Sequence, residues 1–321
     1  MKVLVLGGAG MVGRNLAARL LADGELGGQP VEMLTLFDVV EPGLSTRDKV
    51  TEIAGDISDR ATVDQLVADR PDVIFHLAAI VSGEAEADFD KGYRINLDGT
   101  RNLFEAIRAL GDYHPRVVYT SSIAVFGAPF PEAIGDEFLT APMTSYGTQK
   151  MIGELLLNDY SRRGIFDGVG IRLPTIVVRP GKPNKAASGF FSGIIREPLA
   201  GTPAVLPVDD DVRHWVASPA AATGFLLHAA TMDTSTLGAR RNLTMPGLSV
   251  TVGEMIEALG EVAGPEAVAL IRREPDATIR GIVAGWPRNF DPARARAFGF
   301  DADASFQDII RAHIRDTAAA G

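Results

Sequence analysis

The sequence predicts an α/β protein in which a doubly wound parallel sheet is followed by a smaller C-terminal α/β domain. Three observations predict it. Short apolar or β-branched runs alternate with longer amphipathic patterns through the first half, which puts helices on both faces of a parallel sheet. A glycine-rich turn stands directly between the first such run and the first helical pattern. From about Arg179 the punctuation changes, as Pro180, Gly181, Pro183, Gly189, Gly193, Pro198 and Gly201 break any long element.

The first strand is expected at Lys2 to Leu6, after which Val12, Leu16 and Leu20 recur every four residues as one stripe of a helix. Further strands are expected at Met33 to Phe37, Val50 to Ile53, Val73 to Leu77, Arg116 to Thr120 and Gly168 to Leu173, nearly all separated by helical patterns. The domain change is placed between residues 178 and 179, so that 1–178 bind a nucleotide and 179–321 bind substrate, with some later segments able to return to the first sheet. Thr251 to Val262 and Ser305 to Thr317 read as amphipathic helices of the smaller domain.

The 321 residues suffice for two packed domains, because single cores stop growing at roughly 250 to 300 residues. A composition 46% hydrophobic and 22% charged supports an ordinary core. With no cysteine, disulfides, thiolate metal sites and a thiol nucleophile are excluded, and no metal is expected. A net charge of −10 without a Lys or Arg cluster argues against a nucleic-acid partner. The apolar run Val3 to Leu6 breaks at Gly7 and Gly8, too soon for a signal-peptide core or a membrane span, so the expected place is the cytoplasm.

Gly7, Gly10 and Gly13 lie three apart between strand and helix, a Rossmann-like arrangement. Gly7 permits the turn, Gly10 lets a pyrophosphate approach the backbone, and Gly13 lets helix and strand close up, while the helix start at Met11 and Val12 offers N–H groups to the anion. A bare glycine turn is the alternative. Asp38 ends the second strand about 25 residues past Gly13, the extra length lying in the Gly24 to Pro30 loop. A carboxylate there binds the ribose hydroxyls and repels a 2′-phosphate, so NAD is expected rather than NADP; an ordinary turn aspartate is the alternative. Asp56, followed by Ile57, suits either adenine contact or a simple turn. Leu77, Ala78 and Ala79 close the fourth strand and leave room for cofactor, while His76 reads as a packed strand residue.

Tyr146 and Lys150 are four apart on a predicted helix and so share a face. A phenol with a pKa of about 10 becomes a base near neutrality only with about 4 kcal/mol of added preference for its anion, which Lys150 and a positive nicotinamide ring can supply. Tyr and Lys at this spacing also occur as solvated pairs, so the companions matter. Ser121 and Ser122 follow a strand whose carboxyl end opens onto the ligand crevice. Asn96, within a helical pattern, either supports the Lys150 site through backbone or water or marks a kink.

Together these residues resemble the extended short-chain dehydrogenase/reductase superfamily, which includes nucleotide-sugar epimerases, dehydratases and sugar-acid dehydrogenases. The resemblance implies NAD as cofactor, Ser122 as the catalytic serine, Tyr146 as the proton-transfer group and Lys150 as a further ligand of the nicotinamide ribose. It adds Pro174 and Ile176 to the cofactor contacts and Ser82 to the substrate contacts, and implies a homodimer formed through the helices around Asn96 and Tyr146. Ile123 and Ala124 stand where family dehydratases carry an acidic pair, so water expulsion is not expected. Thr175 and Arg213-His214 stand where nucleotide-sugar enzymes usually show Asn and Arg-Asp.

The run from Arg172 through Thr175 and Arg179 to Phe191 is similar to that of the D-erythronate dehydrogenase subfamily. That likeness implies oxidation of a small sugar acid at C2, D-erythronate to 2-oxo-tetronate, with Tyr146 as phenolate base. Its carboxylate calls for a local cation, for which Arg179, Lys182, Lys185 and Arg213 are candidates; each also reads as a solvated charge. Two rival readings stand beside it: an NAD-dependent nucleotide-sugar epimerase, and an NAD(P)-sensing module that does not turn over and characteristically lacks the Tyr and Lys.

Overall fold

The structure is a computed structural model that describes residues 1–43, 49–181 and 187–320. Its principal strands are β1 (Lys2–Leu6), β2 (Met33–Asp38), β3 (Val50–Ala54), β4 (Val73–His76), β5 (Arg116–Ser122), β6 (Asp167–Leu173), β7 (Thr175–Ile176), β8 (Arg213–Ala217), β9 (Asn242–Thr244) and β10 (Leu248–Thr251). Its principal helices are α1 (Met11–Asp23), α2 (Arg60–Ala68), α3 (Gly99–Ala109), α4 (Ser145–Arg162), α5 (Gly189–Leu199), α6 (Pro219–Thr231) and α7 (Val252–Ala263). Among the described residues, no helix is long and apolar enough to cross a membrane.

The chain forms two units. The first comprises Met1–Val125, Pro142–Leu173 and Thr223–Thr244; the second comprises Phe126–Ala141, Pro174–Ala222 and Met245–Gly321. The chain passes between them more than once, and one passage falls at Leu173 to Pro174, near the expected 178/179. Proline lacks the N–H that would extend the ladder of β6, so Pro174 ends that strand before the glycine and proline run begins.

In the first unit, seven strands lie in the order β9-β6-β5-β4-β1-β2-β3, and every neighbouring pair is parallel. The winding runs outward from β1 to β3 and then restarts at β4 on the other side of β1. This reversal opens a crevice beyond the paired ends Leu6 and His76. Residues Val3 to Leu6 are wholly buried, as a strand covered on both faces requires. Helix α1 buries Gly13, Leu16, Ala17 and Leu20, so the expected stripe holds except that Val12, at the helix start, stays partly exposed. On one side of the sheet, Val63, Leu66 and Val67 of α2 meet Leu103, Phe104 and Ile107 of α3 in a core with Leu4 and Leu6. Each large apolar side chain there is worth roughly 2 kcal/mol.

Strand β5 continues two residues past Thr120, because β6 pairs with it as far as Ser121 opposite Arg172 and Ser122 opposite Leu173. Both serines therefore sit in the last two strand positions, and alternation sends them to opposite faces.

The second unit holds a three-stranded sheet in which β8 pairs parallel with β7 and antiparallel with β10. Its core gathers Val177, Phe191, Ile194, Leu206, Val216, Met255 and Leu259. Helix α7 starts one residue later than expected, since Thr251 is its cap: the hydroxyl accepts from Glu254 N–H while the Glu254 carboxylate accepts from Thr251 N–H.

Candidate active site

The glycine turn sits at the crevice and is built for close approach. Gly7 has φ +92°, and a Cβ on it would lie 2.7 Å from the Ala78 nitrogen. A Cβ on Gly13 would lie 2.1 Å from the Gly7 carbonyl oxygen, so only glycine lets α1 approach β1 this closely. Gly10 is the N-cap of α1 and no side chain caps that helix; a Cβ on Gly10 would meet only the Gly7 oxygen, at 3.4 Å. The N-terminal amides at Met11 and Val12 are thus open to an anion. The Asp38 carboxylate accepts from Ala9 N–H (2.9 Å) and Val39 N–H (2.7 Å), which locks the turn against the end of β2 and leaves acceptor capacity for ribose hydroxyls. Leu77 continues the ladder by donating to the Leu6 carbonyl, so Ala78 and Ala79 leave β4 beside the glycines. These residues fit a dinucleotide.

Asp56 accepts from Ser58 N–H, Ser58 Oγ and Arg94 Nη1 at 2.6 to 2.8 Å. Burial alone would raise its pKa, but the Ser58 hydrogen bonds and the Arg94 guanidinium hold it below the usual range. Its carboxylate closes a turn and binds Arg94; Ile57 beside it is buried against Gly99.

Helix α4 carries Tyr146 and Lys150 and approaches β5 through two glycines. A Cβ on Gly147 would lie 2.2 Å from the Ala124 oxygen, and one on Gly153 would lie 2.3 Å from the Tyr119 hydroxyl. Thr144 caps the helix by accepting from Gly147 N–H (3.1 Å). The first turn of α4, with half-buried Tyr146, is thereby held on the short 3-10 turn Ile123–Val125 that follows Ser122. Lys150 is 3% exposed and donates to the Thr120 carbonyl at 2.8 Å. Its Nζ lies 5.0 Å from the Tyr119 ring centroid and 5.8 Å from that of Tyr146. Burial lowers its pKa to about 7, against the opposing charge of Glu154.

The two serines divide. Ser121 Oγ donates to Glu154 at 2.5 Å, and Arg172 grips the same carboxylate at 2.7 and 2.9 Å, so Ser121 belongs to a buried structural network. Ser122 Oγ accepts from Ala124 N–H at 3.1 Å, which orients its hydroxyl proton away from the backbone.

Asn96 lies in a π-helical turn, Tyr93–Asp98, and its side chain does not engage Lys150. Its amide exchanges hydrogen bonds with the Ile80 backbone at 2.9 and 3.0 Å and donates to Gln149 Oε1 at 2.8 Å. That clamps the segment after β4 onto α4 one residue before the lysine. The Asn96 carbonyl accepts from Thr100 Oγ1 (2.7 Å), which in turn meets His76 Nε2 (2.8 Å). Burial, and then the charge of Lys150, lower the His76 pKa to about 3. Ser82 is exposed at the start of a short helix, Ser82–Ala87.

The remaining expected contacts lie in the second unit. Pro174 and Ile176 are buried. Thr175 Oγ1 is 2.6 Å from His214 Nε2. Arg179 Nε donates to the Ile176 carbonyl at 3.1 Å, and Arg213 is held by the Ser249 carbonyl (2.7 Å) and by Glu254 (3.2 Å). Lys182 and Lys185 lie outside the described residues.

Gly147, Gly153, Gln149, Glu154 and Thr100 were not singled out from the sequence. The available signals were glycine inside a helical pattern and the continuation of the Tyr146–Lys150 stripe to Glu154.

A family described as "NAD dependent epimerase/dehydratase family" matches residues 3–242. D-erythronate dehydrogenase of Cupriavidus necator is 49% identical over 324 aligned residues, covering 100% of each chain. D-erythronate dehydrogenase of Haemophilus influenzae is 42% identical, covering 98% of this chain and 99% of its own. A solved structure described as a nucleoside-diphosphate-sugar epimerase from Agrobacterium tumefaciens is 61% identical with a TM-score of 0.97, over 100% of this chain and 95% of the other. On the glycine turn, the parallel sheet and these full-length similarities, the chain belongs to the NAD-dependent epimerase/dehydratase family, with NAD as its cofactor.

Proposed function

We propose that the chain oxidises the C2 hydroxyl of D-erythronate to the 2-oxo acid, with Tyr146 as the base. The observation that carries the reading is the buried Lys150 ammonium beside the Tyr146 ring, on the helix that abuts Ser122. The two full-length relatives bearing the D-erythronate dehydrogenase name support the substrate.

Bound NAD supplies the hydride acceptor. The Tyr146 oxygen takes the proton of the C2 hydroxyl as the C2–H hydrogen leaves with its electron pair and the C2 carbonyl forms. Ser122, already accepting from Ala124, donates its hydroxyl proton to the same substrate oxygen. Lys150, anchored on the Thr120 carbonyl, holds positive charge beside the phenolate and donates toward the nicotinamide ribose. In the first unit, Gly7, Gly10, Gly13, Asp38 and the 77–79 backbone hold the cofactor. In the second unit, Thr175, Arg179 and Arg213 are the candidates for the sugar acid; Arg213 already faces Glu254, so a substrate carboxylate there competes with a carboxylate of the chain. A homodimer through α3 and α4 and a cytoplasmic place complete the reading.

NADH formation is the test, measured with D-erythronate, L-threonate, uronates and UDP-sugars. D-erythronate-dependent NADH supports the reading. A UDP-sugar epimerised without net NADH would replace it with the activity named for the Agrobacterium structure.

A further inference from the structure

We propose that His214 is a positioning residue: it takes the hydroxyl proton of Thr175, so that the threonine oxygen meets the substrate as a hydrogen-bond acceptor and selects a sugar hydroxyl over an anionic oxygen. The proposal rests on the sugar-acid reading above and names how one point of that substrate is recognised.

All the residues concerned belong to the second unit. Strand register sets Thr175 opposite Val216, and His214, two residues earlier on β8, is its diagonal neighbour on the same face. Thr175 Oγ1 and His214 Nε2 are 2.6 Å apart, so they share one proton. The imidazole cannot swing away. Its face lies on the Phe191 ring at 4.9 Å and 8°, and Trp286 closes on it at 5.3 Å.

The direction of the bond follows from charge and tautomer. His214 is 2% exposed, and burial lowers its pKa to about 4, so the ring is neutral at working pH. The Pro287 backbone carbonyl acts in the opposite sense, as an acceptor near a ring N–H does. Nε2 is engaged with Thr175 and Nδ1 makes no full hydrogen bond, so the ring N–H is assigned to Nδ1, the nitrogen left to face that carbonyl. Nε2 is then the lone-pair nitrogen and Thr175 donates to it. What half-buried Thr175 presents outward is lone pairs alone. A hydroxyl of a polyhydroxy acid can donate to them. A phosphate or carboxylate oxygen cannot, and is repelled.

The test is a double-mutant cycle on NAD reduction by D-erythronate, using Thr175→Val, His214→Phe and the double variant. His214→Phe keeps a ring against Phe191 and removes the acceptor. Each single variant should raise KM for the acid about tenfold, the scale of one hydrogen bond, with a smaller change in kcat and none in KM for NAD. The double variant should be no worse than Thr175→Val, and His214→Gln, whose amide oxygen also accepts, should recover part of the loss. Independent, multiplying effects, or an unchanged KM in Thr175→Val, would overturn the proposal. Should His214→Phe fail to fold, Thr175→Val and His214→Gln decide it: unchanged KM in the first, or a Gln variant no better than Thr175→Val, overturns it. A wild-type chain that forms no NADH from any sugar acid would instead defeat the functional reading beneath it.

Discussion

Each unit buries a histidine against a threonine hydroxyl, and the two pairs end differently. In the first unit His76 meets Thr100, which is 1% exposed and donates its own proton to the Asn96 carbonyl. Every proton in that chain is used inside the protein, and His76 must be the donor, with its N–H on Nε2. In the second unit Thr175 stays half-buried against His214, for which the opposite tautomer is proposed. One pair of residue types thus serves structure where the bonds close on backbone, and leaves an oxygen over where they do not. On the reading proposed above, the first unit carries turnover and the second selects the acid.

The sharpest way to break that division lies in the first unit. Lys150→Met should cut kcat roughly a hundredfold, because the phenolate loses its cation. It should also raise thermal stability. The folded pKa of about 7 lies below the unfolded value, so between those two pH values the unfolded chain holds the proton more tightly and the lysine destabilises the fold at neutral pH. Removing it should return a few kcal/mol, read as a higher Tm. A variant both slower and less stable would show that Lys150 is a packing residue.

Next come the two threonines. Thr100→Val removes a hydrogen bond from the Asn96 carbonyl and strands the His76 N–H, and should cost about 1 to 3 kcal/mol in urea unfolding while leaving KM for the acid unchanged. Thr175→Val should do the reverse. If both acted on stability alone, the contrast between the units would be gone.

The smallest effect is a shared one. Both histidines have folded pKa values below the unfolded 6.5, about 3 for His76 and about 4 for His214. Their stabilising contribution is therefore complete above pH 6.5 and lost as pH falls through the folded values. Between pH 6.5 and 5 each should remove about 2 kcal/mol of unfolding free energy, and His214→Phe should flatten the slope by its share. A slope unchanged in that variant would mean His214 is charged in the fold.

What the sequence made legible was what depends on local spacing. Gly7, Gly10 and Gly13 declare a turn, and Tyr146 and Lys150 share a helix face by arithmetic alone. Asp38 was readable because a strand end and a distance suffice. The length of β5 was not, since Ser121 and Ser122 join the strand only through pairing with β6. Gly147 and Gly153 look like weak points in a helix until Ala124 and Tyr119 are seen against them. Nor does local pattern reveal that Phe126–Ala141 leaves the first unit and Thr223–Thr244 returns to it, or that Arg213 meets Glu254. These are long-range partnerships, invisible to periodicity.

Labelled substrate asks the central question most directly: D-erythronate carrying deuterium at C2, incubated with NAD and the wild-type or Tyr146→Phe chain, followed by mass analysis of the cofactor. Deuterated NADH is expected from the wild type, and almost none from the variant despite normal NAD binding. Unlabelled NADH, or undiminished labelling by Tyr146→Phe, would contradict it.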